Sequence, residues 1–329
     1  MIFPALEKLN KFYSHFSGDD NVLILIDADP DAIASAMAVK RLLWRRVAGV
    51  TISRINIIKR PDNLAMVRLL GANLVHIDEI DRNRYTRFVI VDSQPEHNEA
   101  FAGFKYDVVI DHHPEISPEA GFIDIRPKYG ATASMMTEYI RAARIKPSYK
   151  LATALYYAIK TDTSNFERKA LVEDVRAFQF LFRHANIHIA RKIEQAELNL
   201  DFLKYFRKAL ENVRKRKGRI FVHAGHVINP DICVLLADFF IKISKINWSI
   251  VSGISNNLLV VILRNDGLRK DAGRVAKESF GHIGSAGGHK SMARAEIPVS
   301  ALKGHPDIKN DETVLKWIIG QIEKKAGKK

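Results

Sequence analysis

The chain has 329 residues, of which 47% are hydrophobic, and its formal net charge is +14. This length indicates two domains, and the hydrophobic content excludes a globally disordered chain. The apolar runs are too short to cross a bilayer, and the basic excess favours a phosphate-bearing partner over a surface that is merely basic.

The first half opens with an amphipathic helical pattern and then alternates short apolar runs with helical ones up to about residue 182. Lys8 and Lys11 interrupt the first apolar stretch, so we expect no signal peptide, no membrane association and, by default, a cytoplasmic location. The alternation is typical of buried parallel strands crossed by helices. The predicted strands are VLILID, INII, FVIVD and DVVID, and the predicted helices span Pro61 to Gly71 and residues 31–46, 131–144 and 148–160.

The second half begins with a charged helical pattern over 186–217, which we interpret as a connector helix that ends near Gly218. Beyond it, strands (RIFVHAG, WSIVSGI, LLVVILR, ARAEIPV) and helices (230–243, 271–280, DETVLKWIIGQIEKK) follow. The predicted division is a parallel-sheet α/β domain over 1–185, a helical linker over 186–217 and a smaller α/β domain over 218–329. Cys233 is the single cysteine, and its apolar neighbours indicate a buried structural thiol.

Three carboxylates follow the first predicted strand at alternate positions, Asp27, Asp29 and Asp31. Carboxylates this close repel one another unless a cation neutralises them. A helix N-cap with acids in the first turn would explain one or two of them, but not three. We therefore favour a metal site at this position.

Three further segments carry Asp or His after an apolar run: Asp92, then Asp111-His112-His113, then Asp162. Ligands bind at the carboxyl ends of open parallel sheets, so these distant residues can meet there. Turn formation would account for Asp92 or Asp162 singly, but less readily for the His pair. Together the segments offer ligands for two divalent cations about 3.5–4 Å apart. Without a cysteine pair, manganese suits the site better than zinc, with magnesium as the alternative.

In type and order, these motifs resemble those of the DHH phosphoesterases, a family named for the triplet that here is Asp111-His112-His113. The four motifs read DADPDAIAS, VDS, DHHP and KTDTSNF. The C-terminal half resembles the family's accessory domain, with LRNDGLRKDAGRVA and GSAGGHKSMARAEI where the family has an Arg-bearing strand and a GGGGH loop. The resemblance spans nearly the whole chain.

The resemblance implies a role for each matching position. His113 would face the scissile phosphate, Asp111 would orient the neighbouring imidazole, and Asp92 would bridge the two metals, so these three form the catalytic group. The implied metal ligands are Asp27, Asp29, Asp31, Asp92, His112 and Asp162. The implied substrate-phosphate group, in which glycine lets backbone N–H groups approach an anion, is Arg264, Gly287, Gly288, His289 and Lys290.

Two positions depart from the family pattern. Many members carry a His four residues before the first Asp of the opening motif, where this chain has Leu25. Asp27 would replace it, in a DxDxD form that resembles RecJ-type exonucleases. The accessory loop reads SAGGH, with Arg294 where a later glycine is common. The first departure bears on the metal ligands, and the second on the substrate.

The two-domain size resembles the nanoRNase and 3′-phosphoadenosine 5′-phosphate phosphatase group. It implies hydrolysis of short oligonucleotides or of a small nucleotide phosphate such as 3′-phosphoadenosine 5′-phosphate. Hydrolysis of polyphosphate or pyrophosphate, RecJ-like single-strand exonuclease activity and cyclic dinucleotide cleavage are the alternatives. A degenerate, non-catalytic nucleotide-binding protein is the alternative from another class. A homodimer is compatible with the sequence.

Overall fold

The computed structural model describes residues 2–116, 118–167, 170–195, 200–302 and 306–326. The chain forms two compact α/β units, Met1–Glu197 and Leu198–Lys329. Among the described residues, no helix combines the length and the apolar character that a membrane span requires. The predicted fold class, a parallel-sheet N-terminal unit followed by a smaller sheet unit, is confirmed.

The first unit is built around a six-stranded sheet in which every strand pair is parallel. Its strands are β1 Asn21–Ile26, β2 Gly49–Arg54, β3 Leu74–His76, β4 Arg87–Val91, β5 Val108–Asp111 and β6 Phe122–Ile125. Its helices are α1 Ile2–Tyr13, α2 Pro30–Leu42, α3 Pro61–Leu70, α4 Thr132–Ala142, α5 Tyr149–Asp162, α6 Val172–Phe182 and α7 Ile187–Glu194. The spatial order is β3-β2-β1-β4-β5-β6. Chain order reverses between β1 and β4, which is where such sheets place a ligand crevice.

Strand β1 shows why polar chemistry is confined to the end of this sheet. Val22, Ile24 and Ile26 pack into the core that the helices form, whereas Leu23 and Leu25 pack into a second core on the opposite face. All five side chains are fully buried. Because both faces are covered, a polar group can reach solvent only beyond the carboxyl end of the strand. Leu25 therefore belongs to the core and supplies no ligand.

The second strand of the sheet is not the predicted one. The sequence predicts a strand at INII, residues 55–58, but β2 ends at Arg54. The Asn56 side chain instead accepts the Ala28 N–H at 2.8 Å and donates to the Ala28 carbonyl at 3.2 Å. This pair of bonds secures the loop that follows β1. Strands β3 and β6, missed by the sequence analysis, have only three and four residues, too few for a periodic pattern.

The second unit contains a mixed six-stranded sheet with helices on both faces. Its strands are β7 Arg214–Arg216, β8 Arg219–His226, β9 Trp248–Ser255, β10 Leu258–Asn265, β11 Ser285–Gly288 and β12 Met292–Pro298, in the order β11-β12-β10-β9-β8-β7. Its helices are α8 Leu203–Glu211, α9 Asp231–Phe240, α10 Ala272–Phe280 and α11 Asp311–Ala326. Helices α10 and α11 cover one face, and α8 and α9 the other. Cys233 on α9 is fully buried, as predicted, and burial raises the pKa of its thiol to about 12.

The prediction of one connector helix over 186–217 is wrong. The described part of this stretch forms α7, α8 and then the edge strand β7. Lys217 and Gly218 both have positive φ, 46° and 74°, and they join Arg216 to Arg219 in a two-residue hairpin turn. The basic run at 214–217 is therefore an exposed strand and turn, not a helix end. The Lys-rich C-terminal run, Lys324–Lys329, lies outside the described side chains.

Candidate metal centre

His112 follows β5 and directs one ring nitrogen at three carboxylates. Its Nδ1 lies 3.1 Å from the carbonyl oxygen of Tyr129, so Nδ1 carries the proton and Nε2 the lone pair in the neutral ring. The distances from Nε2 to carboxylate oxygens are 3.2 Å to Asp162, 3.6 Å to Asp92 and 3.9 Å to Asp31. Within the described structure, this buried nitrogen makes no hydrogen bond. A buried nitrogen facing carboxylates fits a divalent cation ligated by His and Asp.

Asp31 is held in place by the first turn of α4. Its two carboxylate oxygens accept the N–H groups of Thr132 and Ala133, each at 2.7 Å. These amides belong to the helix N-terminus, where N–H groups lack partners inside the helix and favour negative charge. Asp31 is 1% exposed, so this anchoring fixes a buried carboxylate that faces His112.

Asp92 adopts a backbone conformation that a non-glycine residue rarely uses. Its φ is 59°, and its N–H donates to the Ile110 carbonyl at 2.9 Å. Such strain occurs mainly at functional sites, where the surrounding structure holds it. The Thr132 hydroxyl donates to the Asp92 carboxylate at 2.8 Å, so one threonine contacts two candidate ligands. Sequence reasoning missed Thr132, which follows an ordinary loop before α4.

Asp27 and Asp29 lie beside this cluster in the loop after β1. Asp29 is the N-cap of α2 and accepts the Ala32 N–H at 2.9 Å, so the capping interpretation explains part of its role. Asp29 keeps some surface open to solvent, yet desolvation and the charges of Asp162 and Asp27 raise its pKa to about 6. Desolvation also raises the pKa of Asp27.

Of the predicted metal ligands and catalytic residues, two sets offer donor atoms that all lie within 4.8 Å of one another. The sets are Asp31, His112 and Asp162, and Asp92, His112 and His113.

The electrostatics of the cluster show an excess of negative charge. Burial and then the charge of Asp162 raise the pKa of Asp31 to about 7. Burial and then the charges of Asp31, Asp29 and Asp162 raise the pKa of Asp92 well above its usual value. Burial alone would lower the pKa of His112, but Asp162 and Asp31 raise it to about 10. Each shift would be relieved by bound positive charge, so the donor set fits divalent metal.

Asp111 is fully buried and organises the triplet. It accepts the His112 N–H and the His113 Nδ1–H, both at 2.8 Å, and the Gln94 amide at 2.7 Å. Gln94 also donates to the Pro114 carbonyl at 3.0 Å and accepts the Ile116 N–H at 2.8 Å. This buried glutamine therefore ties β4 to the loop after β5. Sequence reasoning missed it, although a glutamine two residues after Asp92 was visible in VDSQ.

In the second unit, the predicted phosphate loop lies at the β11–β12 turn. Gly287 and Gly288 pair with Arg294 and Ala293, and the His289 N–H donates to the Met292 carbonyl at 2.8 Å. Gly288, His289 and Lys290 are exposed.

Two contacts limit what this loop offers to an anion. The first amides of α10, those of Ala272 and Gly273, donate to the carbonyls of Lys290 and His289 at 2.9 and 3.0 Å. Those helix N–H groups are therefore already used. Arg264 is in register with Met292, but its Nε donates to the Asp238 carboxylate at 2.7 Å. To bind a substrate phosphate as predicted, Arg264 must either contact the phosphate and Asp238 together or release Asp238.

Residues 21–159, which include the whole sheet of the first unit, match the family model described as "DHH family, N-terminal domain". Proteins of this family depend on divalent metals, which agrees with the cluster of acidic and His side chains.

An uncharacterized protein of Methanocaldococcus jannaschii is 34% identical over 287 residues, which are 87% of this chain and 59% of that relative. The chain thus spans about three-fifths of the relative's length. Among solved structures, an exopolyphosphatase-related protein from Bacteroides fragilis has a TM-score of 0.73 at 16% identity, covering 97% of this chain and 96% of the other. Exonuclease RecJ bound to manganese has a TM-score of 0.52 at 11% identity, covering 99% and 94%. Both share this chain's fold.

Proposed function

We propose that the chain is a hydrolase that cleaves a phosphodiester or phosphomonoester in short oligonucleotides or in a small nucleotide phosphate such as 3′-phosphoadenosine 5′-phosphate. Two divalent cations, manganese or magnesium, would be held by Asp27, Asp29, Asp31, Asp92, His112 and Asp162. The observation that carries the proposal is the buried Nε2 of His112, which faces three carboxylates at 3.2–3.9 Å.

The cations would activate water for in-line attack and neutralise charge on the phosphoryl oxygens. The chain's own part is to fix their ligands: α4 amides hold Asp31, the Thr132 hydroxyl holds Asp92, and the Tyr129 carbonyl holds His112. His113, whose Nδ1–H is bound by Asp111, presents its other nitrogen to the substrate phosphoryl group. A group already oriented in this way costs no reorganisation during reaction.

The choice of a phosphate-bearing substrate is supported by exposed residues of the second unit. Its exposed Gly288, His289 and Lys290 offer donors and charge for a substrate phosphate, and the net charge of +14 favours an anionic ligand. The proposal assigns catalysis to the domain over 1–185 and substrate binding to the domain over 218–329. Two relatives by fold carry other names, exopolyphosphatase-related protein and exonuclease RecJ, so polyphosphate and long single strands are the competing substrates.

A metal-dependent release assay on a panel of phosphates tests the proposal. The panel contains a dinucleotide, a 5-mer and a 24-mer RNA, 3′-phosphoadenosine 5′-phosphate, cyclic di-AMP and polyphosphate, each with manganese, with magnesium and with chelator. We expect turnover of the shortest nucleotides with metal and none with chelator. Activity confined to polyphosphate or to the 24-mer would refute the substrate class. Metal binding without turnover of any member would favour a non-catalytic nucleotide-binding protein.

A further inference from the structure

A second imidazole lies beside His113 and has no part in the proposed metal centre. His97 ends the 3₁₀ turn Pro95–His97 that follows β4. Its ring centroid is 5.6 Å from that of His113, with the rings at 84°. One nitrogen of each ring and one Asp111 oxygen lie within 4.8 Å of one another. Both imidazoles are exposed, so this pair borders the buried metal cluster on its solvent side.

The hydrogen bonds of His97 determine which of its nitrogens carries the proton. The Gln94 backbone N–H donates to His97 Nδ1 at 3.2 Å, and the Ser93 hydroxyl oxygen lies 3.2 Å from the same nitrogen. A backbone N–H can only donate, so Nδ1 must accept. The neutral ring therefore carries its proton on Nε2, and no residue in the described ranges accepts it. His97 presents an oriented N–H donor to solvent.

A cation does not fit between these three side chains. Asp111 already accepts hydrogen bonds from Gln94, His112 and His113, and His113 Nδ1 is one of those donors. The lone pair of His97 Nδ1 is occupied by the Gln94 N–H. With the Nδ1 lone pair committed, what His97 offers outward is its Nε2–H, and an N–H binds an anion. Beside a centre that handles phosphate, that anion is a phosphoryl group.

We propose that His97 is a substrate-binding residue that donates its Nε2–H to a non-bridging phosphoryl oxygen, next to His113. The inference rests on the proposed phosphoesterase function and adds a second imidazole to the phosphate subsite. It also explains the Ser93-Gln94 contacts, which hold the ring in one orientation and leave its donor pointing outward.

Steady-state kinetics of His97→Ala and His97→Gln, with His188→Ala as control, test the inference. His188 is another exposed imidazole of the first unit, on α7. We expect His97→Ala to raise KM about tenfold, equivalent to about 1.4 kcal/mol for one hydrogen bond to an anion. The melting temperature should fall slightly, because the Gln94 N–H loses its acceptor. The glutamine keeps an N–H donor and should restore KM to within about threefold of wild type. His188→Ala should match wild type. An unchanged KM in His97→Ala overturns the inference and leaves the proposed function standing.

A binding measurement by NMR tests the role of His97 independently of substrate turnover. Long-range ¹H–¹⁵N spectra of the wild-type protein with magnesium, assigned through His97→Ala, report the tautomer of His97. Titration with inorganic phosphate should shift the His97 and His113 signals and leave His188 in place. If no substrate is hydrolysed, the proposed function fails, and this titration still decides the role of His97. A His97 signal that stays unmoved at saturating phosphate would overturn it.

Discussion

Thr132 donates its hydroxyl proton to the Asp92 carboxylate at 2.8 Å, while its own backbone N–H binds Asp31 at 2.7 Å. Thr132→Val keeps the shape and the backbone bond but removes the hydroxyl. We expect manganese affinity and kcat to fall about 10–100-fold, the usual effect of losing a group that orients a metal ligand. Isothermal titration with manganese and the release assay measure both.

Thr137→Val is the matched control for that experiment. Thr137 is also fully buried on α4, and its hydroxyl donates to the Ala133 carbonyl at 2.7 Å, within the helix. Both valines remove one buried hydroxyl, so both should lower stability by about 1 kcal/mol. Only Thr132→Val should weaken metal binding. Equal manganese affinities in the two variants would show that the Thr132 hydroxyl does not position Asp92.

Asp92→Ala and His112→Ala should each abolish hydrolysis and leave the fold intact. Each variant removes a proposed metal ligand. Metal affinity should therefore fall by more than about 100-fold, which is the upper end of the loss expected when a group that only orients a ligand is removed. Asp92→Ala also removes a carboxylate whose pKa is raised by burial and by neighbouring acids, so the metal-free variant should melt no lower than wild type. Circular dichroism and titration with manganese check these expectations. Normal turnover of either variant would refute the two-metal site.

The stability of the metal-free protein should fall as pH rises. The pKa of Asp31 is about 7 in the folded chain, against 3.8 for the free group, so between these values the folded state holds a proton that the unfolded state has released. The pKa of His112 is about 10 against 6.5, which acts in the same direction at higher pH. Because the folded state binds more protons at these two groups, they lower the free energy of unfolding from about pH 4 to about pH 10.

Manganese should reverse this trend, since it replaces the protons. We expect the cation to raise the melting temperature more at about pH 8 than at about pH 5, where protons compete for the same oxygens. Thermal melts across this range, with and without manganese, make the comparison. A manganese shift of equal size at both pH values would contradict proton competition at Asp31 and His112.

The location of the site could be predicted from sequence because the sheet is parallel. Asp92 and His112 follow apolar runs that became β4 and β5, neighbours in the sheet, so their carboxyl ends had to meet. The residue types also indicated the chemistry, since few arrangements other than metal binding keep Asp and His together near a core.

The groups that hold those ligands could not be predicted in the same way. Thr132, Gln94 and Tyr129 act through bonds that span 17 to 101 residues, and nothing in their local pattern marks them. At its C-terminal end the connector helix failed for a local reason, because the positive φ at Lys217 turns the charged run at 214–217 into a hairpin. Charge periodicity alone does not separate a solvated helix from an exposed edge strand.

Gln94 should act as a positioning residue for the triplet. It is fully buried and makes three hydrogen bonds, to Asp111, Pro114 and Ile116. Gln94→Met retains the length but leaves the Ile116 N–H unpaired, which should cost about 1–3 kcal/mol of stability. With Asp111 less constrained, kcat should fall about 10–100-fold while metal affinity changes little. Chemical denaturation and kinetics test this together, and an unchanged kcat in a destabilised variant would assign Gln94 to folding alone.

Gly287 and Gly288 form a matched pair for testing the phosphate loop. Gly288 has φ 147°, and an added Cβ would lie 2.4 Å from the Met292 carbonyl and 2.5 Å from the Ala293 Cα. Gly287 has open space at that position. Gly288→Ala should therefore destabilise the second unit by about 1–3 kcal/mol or more, whereas Gly287→Ala should melt like wild type.

The pair then separates folding from binding. If the Gly287 backbone approaches a substrate phosphate, the methyl group of Gly287→Ala should raise KM in a protein of normal stability. His289→Ala should likewise raise KM more than it lowers kcat. Melting curves and KM for the substrate that the panel identifies provide the test. A wild-type KM in both Gly287→Ala and His289→Ala would remove this loop from the substrate site, because Gly287→Ala adds a methyl group to the loop without disturbing the fold.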